Sequence, residues 1–216
     1  LLLTPGPLTT SAATRQAMQR DWGSRDPAFI ELTRHTRTRL AALVGGADTH
    51  SCILLQGSGT YGLEAAMATF VPPGGHVLVL ANGAYCHRIA AICEILGRRV
   101  EIYETGEDTP PDPAVVAKRL AEDETIGHVV MVHCETTSGI LNPLADVAEV
   151  VAAAGRSLLV DAMSSFGAIP IDVNKTPVDV VISSSNKCLE GVPGIAFAIA
   201  RHDVLAASAG NAPSMV

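Results

Sequence analysis

The chain has 216 residues, of which 48% are apolar and only 4% aromatic. That length suits one domain or one and a half, with a core built from Ala, Val, Ile and Leu. A net charge of −7 argues against nucleic acid or an anionic membrane surface as the main partner, and no apolar run approaches the ~20 residues needed to span a bilayer.

Residues 1–25 read as an N-terminal arm. Leu1 to Thr10 contains Thr4-Pro5-Gly6-Pro7, an extended stretch and not a core element. A helix is expected from Asp26 to Val44, with Asp26 as N-cap, Pro27 at the first helical position and Gly45 after the end. Seven short apolar runs follow: Cys52–Gln56, His76–Ala81, Val100–Glu104, His128–His133, Ser157–Ala162, Asp179–Ser184 and Ile195–Ala200. They are near-continuous, as strands are when both faces of a parallel sheet are covered. Helical patterns separate them at Thr60–Phe70, Tyr85–Leu96, Pro113–Ala121 and Leu144–Ala154. Alternating strands and helices predict a three-layer α/β/α domain over residues 26–216, with a mostly parallel seven-stranded sheet. The tail from Ala206 to Val216 is small and polar and stops without a closing element, so the domain is expected to be incomplete there. The chain lacks an initiator Met and a basic segment followed by an apolar one. The expectation is a cytoplasmic protein without a signal peptide, with some residues removed or absent ahead of Leu1. Five cysteines without a CxxC pair read as reduced thiols.

Three strand ends carry chemistry. Gln56-Gly57-Ser58-Gly59-Thr60 leads from the first strand into a helix, and Gly57 to Gly62 fits GxGxxG. A dinucleotide site would want an acid at the end of the second strand, where the chain has Leu80-Ala81-Asn82. The turn still suits a phosphate, because free N–H groups and the positive end of the helix dipole favour an anion. Asp161 ends the fifth run, and Lys187 follows the sixth in Ser185-Asn186-Lys187-Cys188. An amine, a carboxylate and an anion cradle at strand ends are the parts that hold pyridoxal 5′-phosphate (PLP): the lysine bonds its aldehyde and the acid pairs with its ring nitrogen. His133-Cys134-Glu135 could suggest a metal, but alternate residues of a strand end diverge and no second ligand pair is spaced for zinc. No metal is expected. A GxSxG elbow is absent, which disfavours a serine hydrolase.

Taken together, Leu3-Thr4-Pro5-Gly6-Pro7, Gln56 to Thr60, Asn82-Gly83-Ala84-Tyr85, His133 to Gly139, Val160-Asp161-Ala162-Met163-Ser164-Ser165-Phe166-Gly167 and Ser185 to Cys188 resemble the class V, fold-type-I aminotransferases. The Asp161 to Gly167 and Ser185 to Cys188 blocks are the most specific, and they are most similar to the branch acting on 2-aminoethylphosphonate and pyruvate. The resemblance implies a homodimer, with Lys187 carrying PLP and Asp161 on the pyridinium. Tyr85 would stack on the ring, and Ser58, Gly59 and Thr60 would bind the phosphate. Thr136 and Met163 would line the ring, with Asn186 near the phosphate. It also implies a second, smaller domain beyond residue 216, with a substrate-anchoring arginine; without them, weak PLP binding and poor turnover are expected. Serine– or alanine–glyoxylate aminotransferase, cysteine desulfurase and a non-catalytic nucleotide-binding module are the competing readings.

Overall fold

The computed structural model describes residues 1–213. Its elements are α1 (Ala12–Ala17), α2 (Pro27–Leu43), β1 (His50–Gln56), α3 (Gly59–Phe70), β2 (His76–Ala81), α4 (Ala84–Ile95), β3 (Arg99–Glu104), α5 (Pro113–Glu122), β4 (Ile126–Val132), α6 (Leu144–Ala153), β5 (Ser157–Asp161), β6 (Val180–Ser184), β7 (Ile195–Arg201) and α7 (His202–Ala207). Every apolar run read from the sequence is a strand. For the inner strands the reason is burial on both faces, as all six residues of β2 are buried; β3 lies at the sheet edge and buries none.

The strand order is β1-β7-β6-β5-β4-β2-β3. Strands β3, β2, β4, β5 and β6 pair in parallel, while β7 runs antiparallel to both β6 and β1. The short link from Ser184 to Ile195 accounts for β7, since a parallel crossover needs a helix and a dozen or more residues. Because β1 and β6 both oppose β7, β1 runs with the parallel set, and its carboxyl end emerges on the same edge of the sheet.

Side-chain alternation sends successive residues to two cores, one per face. Leu78, Leu80, Val129, Met131, Leu158 and Val160 pack with α2, α5 and α6. Val77, Val79, Val130, Val132 and Leu159 pack with α3 and α4. The expected three layers follow from this period of two. Helix α3 lies close against the sheet at Gly62, where a Cβ would come 2.7 Å from the Ala196 Cβ. That close approach sets the position of the helix's first turn.

Three local features differ from the reading. Helix α1 was not foreseen: Ser11 Oγ caps it by accepting the Thr14 N–H at 3.0 Å, and none of its residues is buried. With no apolar face, it leaves no periodicity to detect. Helix α7 was not foreseen and takes in only the first two residues of the small, polar tail read from Ala206 to Val216; residues 214–216 of that tail lie outside the described residues. Asp26 does sit at the N-cap of α2, but its carboxylate turns back to accept the Gly23 N–H at 2.9 Å and does not cap the helix.

Candidate active site

Five loops leave the carboxyl edge of the sheet and meet in a cleft of about 200 Å³. In open α/β sheets this is the edge where ligands bind. Ser58, Gly59 and Thr60 come from the β1–α3 turn, Tyr85 from the start of α4, and Thr136 from the loop after β4. Asp161 and Met163 come from the end of β5, and Asn186 and Lys187 from the turn after β6. All nine residues singled out in the sequence therefore line one cavity. Gly6, Leu63, Arg88 and Ser184 line it as well and were not foreseen.

Asp161 is the most constrained of them, at 1% exposed. Its Oδ1 accepts the Met163 N–H at 2.8 Å, and no donor reaches Oδ2 among the described residues. Burial pushes its carboxyl up to about 6. The Met163 N–H works against that rise, the Glu135 charge adds to it, and Lys187 and Arg88 oppose it. A buried acid with one oxygen open to the cleft is suited to a cationic N–H donor, which would remove the cost of its charge.

The first turn of α3 makes a cradle. Ser58 is its N-cap and accepts the Tyr61 N–H at 3.2 Å. The N–H groups of Gly59 and Thr60 have no helical acceptor, as at any helix start. Thr136 Oγ1 and Ser164 Oγ share a 2.5 Å hydrogen bond, which fixes the loop after β4 against the loop after β5.

Lys187 is held by its turn and by the N-terminal arm. Glu190 N–H donates to Lys187 O at 2.8 Å, and Gly191 N–H to Ser185 O at 2.7 Å. Glu190 takes a left-handed φ of 56° to close the turn. Leu8 N–H donates to Asn186 O at 3.1 Å, which brings the arm across the lysine. A Cβ on Gly6 would lie 2.8 Å from Lys187 Nζ, so a side chain there would displace the amine.

Behind the cleft lies a buried polar layer. Asn82 Nδ2 donates to Asn142 Oδ1 at 2.8 Å, and Asn142 Nδ2 to Val132 O at 2.7 Å. Glu135 accepts from the Thr137 hydroxyl and N–H, while His133 Nδ1 pairs with Ser165 Oγ at 2.9 Å. His133 and Glu135 thus serve different partners and do not converge on a common point. Among the described residues, His76, Glu101 and Asp123 bring three metal-capable atoms within 4.8 Å. They sit away from the cleft, and Arg119 already holds Glu101 at 2.5 Å. The cysteines are unpaired; burial pushes the thiols of Cys52 and Cys86 up to about 12 and that of Cys93 up to about 11.

The family model "Aminotransferase class-V" matches residues 10–211. The chain belongs to the class V aminotransferases. This class V chain is 58% identical over 215 residues to 2-aminoethylphosphonate–pyruvate transaminase 2 of Burkholderia lata, covering all of this chain and 57% of that relative. It is 56% identical over 215 residues to the 2-aminoethylphosphonate–pyruvate transaminase of Pseudomonas fluorescens Pf0-1, again over all of this chain and 58% of the relative. Among solved structures, alanine–glyoxylate aminotransferase from Nostoc superposes with a TM-score of 0.90 at 28% identity, over 99% of this chain and 56% of that one. The chain therefore spans somewhat more than half the length of the relatives it matches. The class V fold is the three-layer α/β/α arrangement described above, and class V aminotransferases use PLP.

Proposed function

We propose that this chain carries the PLP-binding part of an aminotransferase that moves the amino group of 2-aminoethylphosphonate to pyruvate, giving phosphonoacetaldehyde and L-alanine in phosphonate breakdown. The observation that carries the substrate reading is the 58% identity over 215 residues to a transaminase named for that pair. The alanine–glyoxylate aminotransferase from Nostoc stands at about half that identity, 28%. A cytoplasmic setting is part of the proposal; no described helix is long and apolar enough to cross a membrane.

The cleft fits PLP on its own terms. Asp161 Oδ2 is open, in a buried carboxyl whose charge is disfavoured until a cation faces it. The first turn of α3 offers uncommitted N–H groups and hydroxyls to a phosphate. When bound, PLP supplies an electron sink for the carbanion formed at the substrate carbon. Lys187 would hold the aldehyde end and, once released by the incoming amine, move the proton. Asp161 would keep the ring nitrogen protonated. Tyr85 would cover one face of the ring while Met163 and Thr136 border it, and Asn186 would lie beside the phosphate. A dimer is the proposed assembly.

Initial rates with 2-aminoethylphosphonate, serine and alanine as donors, against pyruvate and glyoxylate, test the substrate pair. Turnover confined to 2-aminoethylphosphonate with pyruvate is expected. A preference for serine or alanine with glyoxylate would contradict it.

A further inference from the structure

We propose that Arg88 completes the anion cradle and binds the phosphate of the cofactor. The proposal rests on the PLP reading given above. Arg88 lies on α4 one turn beyond Tyr85, on the same helix face. Its Cζ stands 4.8 Å from the centroid of the Tyr85 ring. Its Nη1 donates to Thr60 Oγ1 at 3.4 Å. The guanidinium therefore spans the gap between α4 and the first turn of α3.

The balance of charge at the cradle gives this position its meaning. A phosphate monoester carries about −1.5 to −2 near neutrality. The start of α3 supplies the equivalent of roughly +0.5, and the Ser58 and Thr60 hydroxyls supply none. Lys187 is engaged at the other end of the cofactor. Arg88 is the full positive charge that the cleft adds beside Thr60, and no carboxylate pairs with it among the described residues. An exposed arginine would ordinarily sample many rotamers. Here the ring and the hydroxyl hold it at two points, so less freedom is lost when an anion arrives. Its planar fork has five donors and suits two phosphate oxygens at once, and the single long bond to Thr60 leaves most of those donors uncommitted. A phosphate seated on the Gly59 and Thr60 N–H groups lies beside that same Thr60 hydroxyl, within the reach of the fork.

The test compares PLP with pyridoxal, which keeps the ring and aldehyde and lacks the phosphate. Dissociation constants for both are measured by absorbance in the full-length protein, for the unmutated form, Arg88→Met and Arg88→Lys. Arg88 is exposed, so both variants should melt as the unmutated protein does; Arg88→Lys keeps the test valid if Arg88→Met does not fold. A charge-assisted bond to phosphate is lost in Arg88→Met, so PLP should bind roughly 10- to 100-fold more weakly, with pyridoxal unchanged. Arg88→Lys should fall between, because a point charge replaces the fork. Equal weakening of PLP and pyridoxal would overturn the proposal, leaving Arg88 as a support for Tyr85. Unchanged PLP affinity with a raised KM for 2-aminoethylphosphonate would overturn it in favour of a substrate anchor. If the unmutated protein took up neither compound, the PLP reading itself would fail, and this inference with it.

Discussion

Asp161 is the residue of the proposed site whose burial costs stability. Its ordinary value is 3.8, and burial raises it to about 6. Between those pH values the folded chain holds a proton that the unfolded chain has released, so this group's contribution to stability falls as pH rises through that window. Above pH 6 the full cost remains, about 3 kcal/mol at 1.36 kcal/mol per pH unit. Asp161→Asn keeps an Oδ1 acceptor for the Met163 N–H and removes the charge. In the absence of cofactor, this variant should be more stable than the unmutated chain by about 1–3 kcal/mol at pH 7.5, and the gain should vanish near pH 4. Urea denaturation at the two pH values measures it, and a variant less stable at pH 7.5 would show that the carboxylate is not strained. The gain should come with loss of productive PLP binding, the usual trade between stability and function at a site.

At the scale of elements, the strands and the five longer helices were legible because burial writes itself into sequence. Doubly covered strands read as unbroken apolar runs, and Asn142-Pro143 and Gly155 bracket α6. Helices α1 and α7 have six residues each and bury none, so nothing in their spacing sets them apart from loops. The site divides in the same way. Asp161, Lys187 and the Ser58–Thr60 turn stood at strand ends, where a parallel sheet concentrates function. Gly6 reaches the cleft only because the arm folds back onto Asn186, a long-range contact that no local pattern encodes. Arg88 was within reach of sequence reasoning: it lies three residues beyond Tyr85, a spacing that puts both side chains on one helix face. Helix α2 poses a different question. It has 17 residues, yet only Leu40 and Ala41 are buried, while Leu32 and Leu43, about three turns apart on one side of the helix, are 46% and 57% exposed. Helices draw most of their stability from packing an apolar face, and in the proposed dimer a second copy would cover this one. Sedimentation should show a dimer, and Leu32→Glu with Leu43→Glu should shift it to monomer; an unmutated protein that stays monomeric at high concentration would contradict the contact.

At the scale of the whole molecule, the cleft is an assembly of segments far apart in the chain. The arm, the turn after β1, the start of α4 and the ends of β4, β5 and β6 each contribute one to three groups. None of these segments could hold a cofactor alone. The sheet brings them together by aligning five carboxyl ends, and the polar layer beneath, with Asn82 bonded to Asn142, ties the loops after β2 and β4 to each other. This explains why a sequence can name the parts of such a site while the cavity itself exists only in the fold. The central proposal is that those parts act as one PLP site centred on Lys187. The most direct measurement is an absorbance titration with PLP on the full-length protein and on Lys187→Ala, followed by borohydride reduction and peptide mass spectrometry. A yellow protein-bound band that the variant lacks, a reduced adduct on Lys187, and bleaching of the band by 2-aminoethylphosphonate are expected. A band of equal strength in Lys187→Ala, or an adduct on another lysine, would contradict it.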